Sequence, residues 1–253
     1  SASWIFHAAP FAVAAAILTA ATLVPVVLAA QPADRMGDLF VLTALMMLGT
    51  VSLALGALDT GTAFGGMGSS REMTVAALTE PTLAIAVLAL ALTTGSTSLG
   101  AIADTLLRVP ASSFGPGHAL AFVAFMIALL AEASRLPVDN PSTHLELTMI
   151  HEAMILEYSG PYLALIEWAA ALRLTVLLTL AANLFMPWGL AESAAPAAVA
   201  VGVVAVLAKL AGLATFLAVI AISLLLPDAI VRTKAAMGEA NIFRGIFFVL
   251  TFF

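Results

Sequence analysis

The sequence predicts an all-α protein that crosses a membrane several times. Apolar residues make up 62% of its 253 residues and charged residues only 9%, whereas soluble domains carry about 25% charged residues. The mean hydropathy is +1.12. Long apolar runs alternate with short polar segments, and only helices or closed barrels satisfy backbone hydrogen bonds inside a bilayer. The fold class is therefore a polytopic transmembrane helical bundle.

Each span requires about 20 apolar residues, and the chain offers six complete candidates. They cover roughly 7–29, 38–58, 74–94, 117–133, 161–183 and 197–226. A seventh run begins near Ile242 and reaches Phe253 before it is long enough to cross. Because apolar sequence begins almost at Ser1 and is cut off at Phe253, we expect further spans or partner subunits beside these ends. We treat residues 1–253 as a single integral membrane domain.

The composition excludes several classes of protein. The chain contains no cysteine, so it has neither a disulfide framework nor thiolate ligands for an iron–sulfur cluster. The net charge of −6 includes no basic cluster, which argues against a nucleic-acid partner. The first apolar run is of span length, lacks a basic leader and is followed by further spans, so a secretory signal is not expected.

Lysine and arginine in short loops predict the orientation, because cytoplasmic loops carry an excess of both. The loops after the second, fourth and sixth spans hold most of them: Arg71, Arg135, Arg232 and Lys234. The opposite loops hold Arg35 and Arg108. This pattern places the loops around Arg71 and Arg135 on the cytoplasmic side.

The most polar stretch of the chain, Glu132–Gly160, lies between the fourth and fifth spans. Its ionisable side chains are Glu132, Arg135, Asp139, His144, Glu146, His151, Glu152 and Glu157. Ionisable groups are costly beside a bilayer and are functional-site candidates by default. We expect residues 134–160 to form a coupling segment on the cytoplasmic side.

Part of this segment has the pattern of a helix. Pro137 and Pro141 interrupt any earlier helix, while Thr143 and Glu146 form a capping box that starts a new one. The helix is expected to run to about Tyr158, before the sequence Ser-Gly-Pro. On it, His144 shares a face with His151, and Glu146 shares another with Glu157.

Ionisable residues also fall inside predicted spans. Glu80 lies about two turns within the third span and precedes Pro81, Glu167 and Arg173 lie in the fifth span, and Lys209 lies near the middle of the sixth. Glu80 is either a proton-path residue or a hydrogen-bonded structural glutamate. Lys209 is either a relay member or one half of a static salt bridge.

The stretch Asp59–Met73 is rich in glycine, which permits close backbone approach and positive φ. It lacks the lysine of a phosphate-binding loop. It is either a flexible turn or a packed rim for another subunit or a cofactor edge, with Asp59, Arg71 and Glu72 supplying the charges.

Catalytic and metal motifs are absent from the sequence. His151-Glu152 is not followed by the second histidine of a zinc-peptidase motif, and neither a nucleophile elbow nor a dinucleotide fingerprint is present. We predict no metal site and no catalytic residue in this chain.

Two long motifs carry a resemblance to a known family. The runs EASRLPVDNP and THLELTM, with His151-Glu152 and EYSG after them, form the first motif, and ALDTGTAFGGMGSSRE forms the second. Together they resemble the membrane subunit of group 4 energy-converting [NiFe] hydrogenases, of which formate hydrogenlyase is the familiar example. That subunit is homologous to the heel subunit of respiratory complex I, so the resemblance implies the heel-subunit fold.

The resemblance implies a prokaryotic complex in the inner (cytoplasmic) membrane. Hydrogenase large and small subunits and a ferredoxin-like iron–sulfur subunit would dock on the chain, and antiporter-like subunits would adjoin it in the bilayer. The iron–sulfur clusters and the [NiFe] centre would lie in these partners and not in this chain. The docked redox arm would contact Asp59, Arg71, Glu72, Arg135 and Tyr158.

The implied mechanism is electrostatic. Redox changes in the arm would alter the protonation of Asp139, Glu146, Glu152 and Glu157, with His144 and His151 beside them, and these groups would bias Glu80, Glu132, Glu167 and Lys209 in the membrane. Three alternatives stay open: the quinone-site heel subunit of a complex I-type NADH dehydrogenase, a stand-alone proton-coupled transporter, and a structural anchor. The Val-Asp-Asn-Pro sequence at 138–141 is the hydrogenase-type version, which disfavours quinone binding.

Overall fold

A computed structural model describes residues 3–28, 37–110, 114–133, 149–191 and 193–237, with side chains described as far as 223. Within these ranges the regular elements are helices, joined by two isolated β-bridges. In chain order they are α1 (Trp4–Leu23), α2 (Leu39–Asp59), α3 (Ala63–Thr94), α4 (Leu99–Arg108), α5 (Pro116–Glu132), α6 (His151–Ile155), α7 (Gly160–Leu180), a π-helical turn (Ala181–Phe185, hereafter the π-turn) and α8 (Pro196–Met237).

Five of the described helices are long and apolar enough to cross a membrane. They are Trp4–Leu23, Leu39–Asp59, Ala63–Thr94, Gly160–Phe185 and Pro196–Ser223. The fourth predicted span is α5, which is apolar but has only 17 residues. The polytopic all-α fold is thus confirmed. The predicted seventh run, from Ile242, lies outside the described residues.

Side-chain caps and prolines fix where the helices begin. Ser3, Asp38 and Thr62 each accept a hydrogen bond from a backbone N–H in the first turn of the helix that follows. Proline occupies the first turn of α5, α7 and α8, where its missing N–H costs nothing. The predicted break before the fifth span is confirmed, since α7 begins at Gly160, whose φ is +56°.

The glycine-rich stretch is mostly helical, so the predicted loop from Asp59 to Met73 is wrong beyond Thr62. Gly61, with φ +69°, makes the turn, and α3 starts at Ala63. A Cβ on Gly65 would lie 2.6 Å from the Ala57 carbonyl oxygen, and a Cβ on Gly68 would lie 3.0 Å from the Ala153 Cβ. The glycines therefore let α3 pack closely against α2 and α6.

The helix predicted from Thr143 to Tyr158 needs correction in its described part. Met149 and Ile150 are not helical, and α6 covers only His151–Ile155. The proposed start at Thr143 and Glu146 lies outside the described residues. A further difference is α4, a ten-residue helix to which the sequence analysis assigned no structure. Its apolar face is buried, while Asp104 and Arg108 form an exposed ion pair.

The chain forms two compact units, Ser1–Ala211 and Gly212–Phe253. In the first, α1 packs on α2 and α7, α2 packs on α3, and α3 packs on α5 and α6. A core of buried side chains forms where α1, α2, α6 and α7 meet; it includes Val13, Leu53, Met154, Tyr158 and Ile166. Everything described below belongs to this first unit.

The 26-residue helix Gly160–Phe185 is about 39 Å long at 1.5 Å per residue, so its two ends lie at opposite faces of the bundle. We call these the Gly160 end and the Phe185 end. Tyr158 and the start of α1 contact each other at the Gly160 end. His118, in the first turn of α5, contacts Phe185 at the other end, so Glu132, the last residue of α5, points back towards the Gly160 end.

Candidate functional site

A buried ion pair lies inside the bundle. Glu132 is only 5% exposed, and one of its carboxylate oxygens pairs with the Arg173 guanidinium of α7. The other oxygen accepts a hydrogen bond from the Thr79 hydroxyl of α3 at 2.6 Å. Removing one partner of a buried pair leaves an uncompensated charge, which costs roughly 3–5 kcal/mol.

Arg173 joins this pair to α2. The Nη2 group that binds Glu132 also donates to the Thr50 Oγ1 at 2.7 Å. Thr50 lies 3.2 Å from the Met46 carbonyl oxygen and also within hydrogen-bonding reach of Glu80. Its single hydroxyl proton can go to one of these acceptors at a time.

Glu80 completes the arrangement. It follows Thr79 on α3, and its carboxylate lies within electrostatic reach of both Glu132 and Arg173. Its Oε1 is buried and has no hydrogen-bond partner among the described residues. Thr50, Thr79, Glu80, Glu132 and Arg173 are together called the Glu132 cluster. It contains two carboxylates and one guanidinium, so its charge is balanced only when one carboxylate holds a proton.

An apolar cleft leads away from Glu80. Its wall also includes Thr43, Phe125, Leu177 and Leu180. Leu180 is the residue immediately before the π-turn, so the cleft reaches from the Glu132 cluster towards the Phe185 end.

At the Gly160 end, three predicted interface residues make contacts within the chain. The Asp59 carboxylate accepts hydrogen bonds from the Ser3 N at 2.6 Å and from the Phe6 N at 3.3 Å. The Tyr158 hydroxyl donates to the Phe6 carbonyl oxygen at 3.1 Å. Arg71 donates to the Met149 carbonyl oxygen at 3.1 Å. These contacts tie the start of α1 and the segment before α6 to the ends of α2 and α3.

Tyr158 is held as a hydrogen-bond donor. Its ring is buried and stacks on Phe6, with the ring centroids 4.1 Å apart. Burial, with the negative charge of Asp59 as a second cause, raises the pKa of Tyr158 to about 12. The phenol therefore keeps its proton at any physiological pH.

The other predicted site residues are spread around the bundle. Glu72 is buried on α3, and His151 and Glu152 are partly buried on α6. Glu157 is exposed, and so is Glu167, beside the half-exposed Trp168 on α7. Glu167 thus does not enter the Glu132 cluster. The remaining predicted residues lie outside the described ranges: Arg135, Asp139, His144 and Glu146.

Lys209 lies near the π-turn, away from the Glu132 cluster. Its Nζ is 3.4 Å from the Asn183 Oδ1 and 3.5 Å from the Ala182 carbonyl oxygen. Its contacts are with an amide and a carbonyl oxygen, and no described carboxylate forms a salt bridge with it.

Several functional candidates were given no role by the sequence analysis: Arg173, Thr50, Thr79, Asn183 and His118. Arg173 had a usable signal, since a charge within a span marks a functional site by default. The threonines and Asn183 had none, because polar uncharged residues are common in membrane helices and their partners come from other helices. Among the described residues, no three His, Asp or Glu side chains approach closely enough to hold a metal ion.

Known proteins are similar to this chain in sequence or in fold. The sequence profile of the NADH dehydrogenase family matches residues 1–237. Formate hydrogenlyase subunit 4 of Escherichia coli (strain K12) is 34% identical over 190 residues, which are 75% of this chain and 61% of that protein. Hydrogenase-4 component C of the same organism is 35% identical over 192 residues, 76% of this chain and 59% of that protein.

A more distant relative is the H subunit of the NADH-quinone oxidoreductase of Syntrophotalea carbinolica (strain DSM 2380 / NBRC 103641 / GraBd1), 28% identical over 193 residues, 72% of this chain and 56% of that protein. The chain thus spans about 60% of the length of these relatives. In a solved structure of the membrane-bound sulfane sulfur reductase, an archaeal respiratory membrane complex, one chain has the same fold, with a TM-score of 0.67 and 21% identity. The match covers 83% of this chain and 69% of that one.

Proposed function

Because the chain belongs to the NADH dehydrogenase family, we propose that it is the membrane-embedded coupling subunit of a multi-subunit redox complex. It would anchor a peripheral arm and link electron transfer in that arm to the movement of protons, or of Na⁺, across the bilayer. It would contribute no redox centre of its own.

The arm is proposed to be of the hydrogenase type. Two relatives are named as a subunit of formate hydrogenlyase and as a component of hydrogenase-4. The partners would then be hydrogenase large and small subunits, a ferredoxin-like iron–sulfur subunit and antiporter-like membrane subunits. The iron–sulfur clusters and the [NiFe] centre would belong to the arm, on the cytoplasmic side of a prokaryotic inner membrane.

The Glu132 cluster is the observation that supports coupling most directly. A guanidinium lies between two carboxylates inside an apolar bundle, and one carboxylate oxygen, the Glu80 Oε1, is buried without a partner among the described residues. The large majority of buried polar atoms in proteins have a hydrogen-bond partner, so a buried oxygen without a described one calls for an explanation. Two carboxylates that share one cation instead share a proton, and any charge that approaches one of them changes the protonation of the other.

The Gly160 end connects this cluster to the arm. Glu132 ends α5 immediately before the segment 134–148, and α6 packs against α3, which carries Glu80. At an effective dielectric constant of ~20, unit charges 6 Å apart interact by roughly 3 kcal/mol, which is about two pKa units. A charge change on one ionisable group would therefore be large enough to switch the protonation of a neighbouring one, and a series of such steps would carry the change from the arm to the cluster.

A quinone-binding heel subunit is the second candidate, and the relative from an NADH-quinone oxidoreductase favours it. Tyr158, which the family resemblance places beside the redox arm, donates its hydroxyl hydrogen bond to the Phe6 carbonyl oxygen of the same chain. A hydroxyl committed in this way does not offer itself to a quinone carbonyl, so we rank this candidate below the hydrogenase-type subunit.

The test neutralises the cluster in the assembled complex. Glu132→Gln keeps the shape of the side chain and removes its charge, and Arg108→Gln is a matched control in the exposed ion pair of α4. Redox turnover is measured with a viologen dye, and proton uptake is measured in everted membrane vesicles. We expect Glu132→Gln to keep dye-linked turnover but lower proton uptake by about tenfold or more, as for other proton-transfer groups, while Arg108→Gln behaves like the wild type.

Wild-type proton uptake in Glu132→Gln would overturn the assignment. The composition of the purified complex tests the rival classes separately. A coupling subunit brings iron-containing partners through detergent purification, whereas a stand-alone transporter is purified without them. A structural anchor brings the partners too, but it tolerates Glu132→Gln with unchanged proton uptake.

A further inference from the structure

The Phe185 end holds a second polar site, built around the π-turn. Two basic side chains from different helices contact carbonyl oxygens of this turn. The Lys209 Nζ lies 3.5 Å from the Ala182 oxygen, and the His118 Nε2 lies 2.9 Å from the Phe185 oxygen. All five residues of the turn are buried. π-Helical turns inside α-helices are found most often at functional sites.

Asn183 fixes the geometry of this site. The residue is 0% exposed, and its Nδ2 donates to the carbonyl oxygens of Pro25 and Val26 at 2.7 and 2.9 Å. Because both donors are committed to the chain beyond α1, the amide cannot rotate, and its Oδ1 stays directed at Lys209, 3.4 Å away. The lysine is thus oriented by a rigid neighbour.

Lys209 is held loosely and without a described countercharge. Both of its contacts, at 3.4 and 3.5 Å, are longer than the usual 2.7–3.2 Å for such bonds. The carboxylates described at this end are committed elsewhere, since Asp38 accepts from Thr97 and from the Phe40 N, and Asp104 pairs with Arg108. A partly buried lysine in this position can lose its proton, which an arginine cannot.

An apolar cleft borders both the Glu132 cluster and the residue that precedes this site. Glu80 and Leu180 both line the cleft, and Ala181 and Ala182 follow Leu180 in the π-turn. The Phe125 ring also borders the cleft and lies 5.4 Å from the Phe185 ring, centroid to centroid.

His118 is the second basic side chain on the π-turn. It contacts the last residue of the turn, is partly exposed, and stacks on Phe114, with the centroids 4.4 Å apart. Its imidazole is therefore a partly exposed, proton-exchangeable group on the same turn as Lys209.

From this arrangement we propose that Lys209 and His118, held on the π-turn, form a proton-release site at the membrane face opposite the redox arm. This proposal rests on the proposed function and extends it. A proton that leaves the protonated Glu80 carboxyl is taken up by the neutral Lys209 amine, which leaves a carboxylate and an ammonium. The ammonium then passes the proton to His118, and the imidazolium releases it to water.

Two lysine variants test the proposal in the assembled complex. Lys209→Arg keeps the positive charge and the hydrogen-bond donors but cannot release a proton. Lys209→His can release one, with an unperturbed pKa of about 6.5. We expect Lys209→Arg to lower proton uptake into everted vesicles by about tenfold while dye-linked turnover in detergent is kept. Lys209→His should pump with its optimum shifted to lower pH.

His118→Phe tests the outer group and should lower proton uptake in the same assay. Arg108→Gln, which removes an exposed cation at the same end, is the matched control and should leave proton uptake unchanged. Wild-type pumping by Lys209→Arg, or an unshifted pH optimum in Lys209→His, would overturn the proposal. If Glu132→Gln abolishes pumping but Lys209→Arg does not, the result supports the coupling function and refutes the proton-release site.

Discussion

At the Glu132 cluster a guanidinium is matched by a buried carboxylate, whereas at the π-turn two basic side chains are bound by carbonyl oxygens without any described carboxylate. Both sites lie in the same apolar bundle, but only the first has a described partner of opposite charge. The paired site favours retention of its charges, because the carboxylate and the guanidinium compensate each other. The unpaired site favours release of the charge, because nothing described there compensates it.

A single substitution often lowers stability and function together, and the difference between the two sites allows these two effects to be separated. Loss of a partner at the paired site leaves a bare charge in the bundle, so stability and function fall together. Loss of the lysine at the unpaired site leaves only neutral acceptors, so function should fall while stability is kept. Three substitutions test this contrast through thermal unfolding of the chain in detergent.

The largest effect is expected for Arg173→Met. It leaves the Glu132 carboxylate buried with only the Thr79 hydroxyl as a described partner, and we expect a loss of roughly 3–5 kcal/mol in unfolding free energy. The double variant Arg173→Met/Glu132→Leu removes both charges and should recover most of this loss. A single variant as stable as the wild type would show that the ion pair does not hold the site together.

An intermediate effect is expected for Asn183→Leu, which keeps the branching and the number of heavy atoms of the side chain but has no amide. The Pro25 and Val26 carbonyl oxygens lose their donor, and unsatisfied buried groups cost about 1–3 kcal/mol. The same variant removes the Asn183 oxygen that orients Lys209. We therefore expect proton uptake to fall even under conditions in which the variant stays folded. Unchanged unfolding would mean that water takes over both carbonyl oxygens and that the site is less rigid than described.

The smallest effect on stability is expected for Lys209→Met, the counterpart of Arg173→Met. Both substitutions replace a long cationic side chain with a flexible apolar one. Because the lysine contacts are long and bind no described carboxylate, we expect a change within about 1 kcal/mol. A loss comparable to that of Arg173→Met would refute the contrast between the two sites and would point to a countercharge for Lys209.

The sequence predicts the spans well and the sites only in part. Hydropathy locates α1, α2, α7 and the start of α8, since a membrane helix is defined by a local property of about 20 residues. It misses α4, because ten residues with one apolar face are too short for a span-length window. It also ends the glycine-rich loop too late, since Thr62 caps a helix that runs through the glycines.

The sites resist prediction for a different reason. Glu80, Glu132 and Lys209 were identified because charge within a span is rare, but their partners come from other helices. Glu132 and Arg173 are 41 residues apart, and Asn183 and Pro25 are 158 apart. Spacing along the chain carries no information about such pairs. The π-turn has no sequence signal that we recognise, and the roles predicted for Asp139, His144 and Glu146 stay predictions.

Gly68 lets α3 pack closely against α6, and this contact has a consequence for Glu80 on the same helix. With no side chain at this position, the α3 backbone presses against Ala153 and the Ile150 carbonyl oxygen. Twelve residues further along the same helix, about 18 Å away, stands Glu80. Because Gly68 and Glu80 belong to the same helix, a displacement of α6 from outside the bilayer would move α3 and the Glu80 carboxylate with it. No chain of intervening side chains is needed for this coupling.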